Sequence, residues 1–550
     1  MMKKIATYTT AILLLMGTGG CDFLDYDESS YLLEEQVFSD FDRTESFLTG
    51  IYAFLPADFS PVDGAMRSSA SDDALHVWDQ SNVRKFYNGS WSAVTPLDNV
   101  WGRMYAAIRA SNKFLEEIEG ETFEDLLWNE EYWKVKGKLE LFPYEARFLR
   151  AYFYFELVKR YGSVPLITTV LTPEEANGVS QVSFDEVVQF IANECDSVWK
   201  YLPPTHQNLL EGETGRITKG AALALKSRVL LYAASPLHNE SADPQKWIDA
   251  ADAAIVLIDS VLYELEGNYD DVVNNPTSVE LILGTRQGES NSFEKKNFPM
   301  GYEGGNTGTC PTQNLVDAYE MATTGLPIDD PGSDYDSNFP YQDRDPRMES
   351  TVLRNGDMFK GQTIETWYGG THAQPGANAT RTGYYLRKYV IESINLSPTN
   401  TTRKRHTWVL FRYAEVLLNY AEAMNEVYGP DDAAGRSMTA LDAVNLVRAR
   451  AEMAGFPAGM SQAGFRERLR NERRVELAFE DHRFWDIRRW QTGESTKEIL
   501  GILITENPFG GYAYEQVVVE ERVFEEKMNL YPVPQTEIYI NNNLQQNPGW

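Results

Sequence analysis

The chain has 550 residues, 43% hydrophobic and 24% charged, with only three cysteines. That composition fills a large core without disulfide staples and excludes both a disordered chain and a disulfide-built miniature domain. Fifty basic side chains stand against 81 acidic ones, a formal net charge of −31 at neutral pH, which argues against a nucleic-acid partner.

The N-terminus comes first in chain order. Lys3 and Lys4 form a basic start, Ala11 to Met16 an apolar stretch, and Gly17 to Gly20 a small-residue site that ends at Cys21. The stretch is too short for a membrane span and reads as a secretion signal. Cys21 directly after Gly19 and Gly20 looks like a bacterial lipoprotein cleavage site, so the thiol of Cys21 is expected to be lipidated. Thr18 stands where Leu is usual in such sites. Acyl chains contribute about 0.8 kcal/mol per buried methylene, so several together anchor stably. Asp22, Asp25, Asp27 and Glu28 then read as a solvated tether. Cys195 and Cys310 are far apart in sequence and have no metal-ligand spacing, so neither a metal site nor a disulfide is expected from them.

From Glu34 to about Glu119 the pattern is helical, interrupted by a polar, aromatic loop between Pro61 and Pro96; Trp101, Tyr105, Ile108 and Phe114 mark the restart. Tyr144 to Arg160 places Leu149, Tyr152, Phe153 and Leu157 on a wide buried face, and Gly162 with Pro165 stops it. Helices are expected at Phe184 to Leu202, Lys219 to Ala234 and Pro244 to Val261. Between Tyr263 and Thr407 the text turns rich in Gly, Pro, Asn and Asp, which predicts loops and short strands, the places where function concentrates. Helices resume at Trp408 to Tyr428 and Ala440 to Ala454, and from the N-cap Ser461 through Glu480. The expected organisation is a signal peptide over 1–20, a lipid-anchored tether over 21–33, a helical part over 34–262, a loop-rich insertion over 263–407, and a helical part over 408–550. The fold class is all-α dominated: a tetratricopeptide-like scaffold of helical pairs that carries an irregular insertion.

Several stretches together carry a family resemblance. They are Cys21 with Phe23-Leu24-Asp25, YEARFLRAYFYFELVKRYGSVPLI from Tyr144, GRITKGAALALKSRVLLYAA from Gly215, PTQNLVDAYEM from Pro311, PYQDRDPR from Pro340 and TGYYLRKY from Thr382. FRYAEVLLNYAEA from Phe411, NERRVELAFEDHRFWDIRRW from Asn471 and QNPGW from Gln546 complete the set. In order and spacing the chain resembles the SusD/RagB nutrient-uptake lipoproteins of the bacterial outer membrane. The resemblance implies a non-enzymatic protein tethered outside the outer membrane, over a SusC-like TonB-dependent transporter. It would capture oligosaccharide, or peptide as RagB-type proteins do, and would need no cofactor. A lipoprotein glycoside hydrolase is the rival reading; it needs two carboxylates flanking a sugar cleft, about 5–9.5 Å apart.

Aromatic residues make up 12% of the chain, with 12 Trp and 30 Tyr, and sugar capture uses aromatic faces flanked by polar and charged groups. Two segments qualify. The first, DDALHVWDQSNVRKFYNGSW, offers Asp73, Trp78, Arg84, Asn88 and Trp91, in the region where the resemblance places glycan contacts. The second, inside the insertion, offers Tyr302 in a glycine-rich loop and Trp367 with Tyr368 before Gly369-Gly370. Glu415, Asn419, Glu422 and Glu426 share a helix face, and Arg448, Arg450, Arg473 and Arg474 lie on later helices; an internal salt-bridge network is expected of them, not a catalytic pair. The acidic loop of Asp329, Asp330, Asp334 and Asp336 lacks EF-hand spacing and reads as a solvated turn. No zinc-protease motif, phosphate loop or serine-nucleophile elbow is present.

Overall fold

The computed structural model describes residues 34–130, 132–205 and 215–550; Cys21, the expected signal peptide and the tether lie outside them. The long helices are α1 (Phe41–Tyr52), α2 (Trp101–Glu117), α3 (Tyr132–Tyr161), α4 (Phe184–Val198), α5 (Lys219–Ala234), α6 (Pro244–Asp259), α7 (Tyr413–Tyr428), α8 (Ala440–Arg450), α9 (Gln462–Glu476) and α10 (Arg483–Arg489). Their starts are set by polar side chains. Ser183 accepts the Glu186 N–H, and the Glu186 carboxylate accepts the Ser183 N–H at 2.9 Å. Thr439 and Asp442 repeat the exchange at the head of α8, and Thr218 caps α5. Such caps satisfy N–H groups that have no partner inside the helix, each worth about 0.5–2 kcal/mol.

Helix α2 packs on α3, α3 on α4, α4 on α5, α5 on α6, α6 on α7, and α7 on both α8 and α9. The helices on either side of the insertion therefore form one continuous stack around a shared core. Small residues bring α5 close to its neighbours, with Ala221, Ala222, Ala224 and Ala234 all buried. Gly220 is the tightest point: a Cβ there would lie 2.2 Å from the hydroxyl oxygen of Tyr263 and 2.4 Å from its ring. Tyr263 is buried, with its hydroxyl 3.3 Å from Thr218 Oγ1, so it cannot swing aside freely. G220A is expected to lose about 1–3 kcal/mol of stability despite alanine's better helix propensity, read as a lower urea midpoint.

Three features differ from the sequence expectation. Helix α3 begins at Tyr132, ahead of Pro143, and carries the proline inside it. The proline removes one backbone hydrogen bond, and the buried residues from Phe148 onward hold the helix from its C-terminal side. Trp408 to Arg412 are strand, not helix: their alternative partner is the strand that opens the insertion. The C-terminal part is not purely helical, because β5 (Glu498–Glu506) and β6 (Tyr512–Glu521) form an antiparallel hairpin.

The remaining labelled strands are β1 (Ala74–His76), β2 (Leu281–Arg286), β3 (Thr309–Pro311) and β4 (Thr407–Arg412). Strand β2 pairs antiparallel with β4, Leu281 opposite Arg412 and Arg286 opposite Thr407, so the insertion leaves and re-enters the scaffold through paired strands. Strand β1 pairs with β3, His76 opposite Thr309, and ties the N-terminal loop to the insertion. Among the described residues no helix is long and apolar enough to cross a membrane. Cys195 and Cys310 are both buried free thiols.

The charged helix faces pair with one another, as expected of an internal network. Glu415 holds Arg228, Glu422 holds Arg489 at 2.6 Å, Glu426 holds Arg466 at 2.5 Å, and Asn419 accepts from Arg473 at 2.7 Å. At its centre Arg412, buried at the end of β4, reaches Glu280, Glu476 and Glu480, each at 2.6 Å. Lys388 adds a second cation on Glu480 at 2.6 Å, and Arg347 reaches Glu476 at 2.7 Å. Insertion, strand neck and α9 are thus joined by one buried ionic cluster.

Candidate ligand-binding surface

Strand β1 delivers the chain directly to the candidate surface. Val77 N–H donates to the carbonyl of Gly308, and the next residue, Trp78, donates its indole Nε1–H to the carbonyl of Asn306 at 3.0 Å. The indole is held while its ring stays 37% exposed. An immobilised, half-exposed tryptophan is what a stacking platform requires, because little side-chain entropy is lost when a ligand covers it.

The next residue, Asp79, opens an alternating chain of charges. Arg84 pairs with Asp79 at 2.6 Å and with Glu520 of β6 at 2.6 Å, and donates to the carbonyl of His76 at 3.3 Å. Arg381 of the insertion lies 3.4 Å from Asp79 and 3.9 Å from Glu520. Arg522 completes the array, bonding Glu520 at 2.7 Å and lying over the Tyr87 ring at 3.9 Å. Asp79 is 69% exposed at its side chain, so its own pairs with Arg84 and Arg381 add little to stability. Asp79 and, in part, Arg381 face solvent next to Trp78, whereas Arg84, Glu520 and Arg522 are largely buried beneath them; a carboxylate beside an aromatic face is chemistry that can meet a hydroxyl-rich ligand.

The expected contact residues divide. Trp78 is exposed, and Arg84 is held to Asp79, the residue that follows Trp78. Asp73 and Trp91 are removed from any ligand surface by burial. Asp73 is fully buried and bonds Arg474 at 2.7 Å; burial and the neighbouring Asp72 charge push its carboxyl up, against the pull of Arg474. Burial would raise Asp72 too, but Arg474 and Arg483 hold it well below the carboxylate range. Trp91 is 4% exposed and packs edge-on against Phe86, Tyr531 and Trp550 at centroid distances of 4.7–4.9 Å; it is a core residue.

Asn88 is exposed, and its carboxamide oxygen accepts from Ser90 at 3.0 Å, a local turn with no bond to the Trp78 surface. Tyr302 is half-buried, donates its hydroxyl to the carbonyl of Phe359 at 2.9 Å, and stacks on His372 at 5.3 Å. It braces the loop that carries Asn306 against the 365–372 loop. Trp367 is half-buried on that second loop, and the exposed Tyr368 donates its backbone N–H to Ile504 of β5 at 2.8 Å. Gly370 permits the turn: a Cβ there would sit 2.8 Å from the carbonyl of Glu365. Asp79, Asn306, Arg381 and Glu520 are the surface residues that sequence reading missed. Asp79 adjoins Trp78 and was within reach; Arg381 and Glu520 are hundreds of residues away and give no local signal.

In the acidic loop, Asp330 accepts from Gly332 N–H and Asp336 from Asn338 N–H. Both carboxylates thus close turns.

The family model described as the SusD family matches residues 280–550, and one described as "Starch-binding associating with outer membrane" matches residues 22–231. The chain belongs to the SusD family, whose members bind their ligands and are not enzymes. It is 22% identical to SusD-like protein P25 of Formosa agariphila, covering 88% of this chain and 90% of that one. It is 24% identical to SusD-like protein P2 of the same organism, over the full length of both. Among solved structures, a SusD-like protein of Bacteroides fragilis superposes with a TM-score of 0.79 at 28% identity, covering 94% of this chain and 99% of that one. A SusD-like carbohydrate binding protein of the same species gives 0.75 at 26% identity, covering 92% and 100%.

Proposed function

We propose that the protein is a surface-exposed lipoprotein, anchored in the outer membrane through Cys21 and facing the cell exterior. On this reading it captures oligosaccharide and passes it to a SusC-like TonB-dependent transporter. The observation that carries the capture role is the exposed Trp78, fixed by the Asn306 carbonyl and followed by Asp79, which pairs with Arg84 and Arg381. A sugar ring lays its apolar face on the indole while its hydroxyls bond the flanking carboxylate and guanidinium groups. The matched family description and the carbohydrate-binding relative support the same ligand class. Tyr302, Trp367 and Tyr368 belong to the bracing of neighbouring loops and are proposed to shape the rim.

Covering one aromatic ring is worth about 1.5–3 kcal/mol of burial and stacking. Calorimetric titration of the purified protein against a panel of plant and host oligosaccharides and peptides is therefore expected to find one glycan class bound without turnover. In that titration W78A should weaken affinity about tenfold or more, while W78F, which keeps a ring, recovers most of it. Peptide binding in place of glycan would reassign the cargo, and undiminished binding by W78A would remove the site.

A further inference from the structure

Apart from the Trp78 surface, a separate cleft of about 300 Å³ opens between the start of the insertion and its return to the scaffold. Val273, Asn274, Tyr389, Val390, Ile391 and the run Lys404 to Thr407 line it. An adjoining hollow of about 180 Å³ shares Val273, Asn274, Tyr389 and Val390 with it. The larger volume lies at the small end of ligand pockets, roughly 300–1,000 Å³. It shares no lining residue with the Trp78 surface.

Its charges are unusual for a chain with a net charge of −31. Lys404 and Arg405 are exposed at the cleft, Arg403 is exposed beside them, and no carboxylate lines the larger hollow. Among the described residues none of these three side chains makes an ion pair or hydrogen bond. Two neighbouring cations are engaged, Arg387 by Glu392 at 3.0 Å and Lys388 by Glu480 at 2.6 Å, and the His406 ring bonds Glu294 at 2.8 Å. Partial burial and the charge on Arg405 together hold Arg286 below its ordinary value, so positive charge is crowded here. An arriving anion would relieve that crowding. The acids Asp270 and Glu392 border only the smaller hollow, which therefore suits a neutral unit. Tyr389, Val390 and Ile391 supply an apolar wall, and Thr407 a hydroxyl.

We propose that this cleft is a second glycan-binding site, selective for a sugar unit that bears a carboxylate or sulfate group. The anionic group lies between Lys404 and Arg405, and the neighbouring uncharged sugar extends toward Asn274. The proposal rests on the reading of the chain as a glycan-capturing protein and extends its cargo to acidic polysaccharides.

The test is calorimetric titration of the purified protein, wild type, K404A/R405A and W78A. The probes are trigalacturonate, a chondroitin sulfate hexasaccharide, uncharged maltoheptaose and tetraglutamate. Both substitutions in the double variant replace exposed, unpaired side chains, so the fold is expected to persist, checked by its circular dichroism. At least one acidic saccharide should bind the wild type, weaken about tenfold in K404A/R405A and weaken with added salt; W78A should leave that term in place. Trigalacturonate against the sulfated hexasaccharide tells carboxylate from sulfate. The proposal is overturned if neither acidic saccharide binds, if K404A/R405A binds them as wild type does, or if tetraglutamate binds as tightly as they do. Loss of acidic-saccharide binding in W78A alone would overturn the cleft while upholding the Trp78 surface.

Discussion

R412M is expected to destabilise the protein by about 3–5 kcal/mol, because it removes the one cation that bridges three buried carboxylates. The guanidinium of Arg412 bonds Glu280, Glu476 and Glu480, all fully buried. Each of these acids has one other cation or more, Arg450 on Glu280 and Glu476, Arg347 on Glu476 and Lys388 on Glu480, but none of the three reaches all of them. Urea denaturation followed by circular dichroism reads the loss as a lower midpoint. The double variant R412M/E480Q should recover part of it, since one stranded charge is then neutral. A protein that kept its midpoint would show that the remaining cations suffice, and the cluster would no longer account for the docking of the insertion.

Acidification should unfold the protein in two stages, the first starting where histidines titrate. His482 is buried, with Nδ1 3.3 Å from an Arg473 guanidinium nitrogen; burial and then the nearby arginines keep its pKa well below 6.5. His76, also buried, is lowered to about 4, by burial first and the Arg84 charge second. Below the ordinary histidine value, near 6.5, the unfolded chain takes up protons that these folded residues refuse. Each group then subtracts about 1.4 kcal/mol per pH unit until its folded pKa is reached. The second stage begins below about pH 4.5 and belongs to the ion-paired carboxylates. Burial alone would raise Glu156, yet Lys159 and Arg160 lower it to about 2, and Glu472, Glu480 and Asp486 are likewise lowered by their arginines. Their stabilisation is fully present above the unfolded carboxylate pKa and is lost progressively as pH falls from there through the lowered folded values. Asp58 and Asp73 act oppositely: burial and adjacent acids raise them, so their protonation offsets part of the loss. Urea midpoints measured from pH 7.5 down to 4 should fall steadily below about 6.5. A flat profile down to 4.5 would show that His482 and His76 are not held neutral.

Much of the scaffold was legible because helices advertise themselves locally: Ser183 and Thr218 sit where caps belong, and buried positions recur at helical spacing along α4 and α6. What failed depends on distant partners. Trp408 to Arg412 read as helix until β2 is placed beside them. Trp91 looks like a stacking residue until Trp550, at the far end of the chain, is laid against it. Asp73 and Asp79 are both acids close to Trp78, and only the tertiary fold decides that one meets Arg474 inside while the other faces solvent. The hairpin of β5 and β6 did leave a local trace, β-branched residues (Ile499, Ile502, Ile504 and Thr505, then Val517 to Val519) on both sides of Asn507-Pro508-Phe509-Gly510-Gly511. Glu520 enters the site only because that hairpin carries it there.

The paired neck of β2 and β4 makes the chain modular. Adjacent strands lie about 4.8 Å apart, so the segment between Arg286 and Thr407 begins and ends at nearly one place on the scaffold. Its outer loops can be lengthened, trimmed or exchanged without moving the helices, provided Arg347 and Lys388, which lie inside the segment, still reach the acids around Arg412. Selection can therefore rewrite the cargo-facing loops as a cassette while the helical stack is inherited intact, and an engineer could graft a relative's insertion between the same two residues.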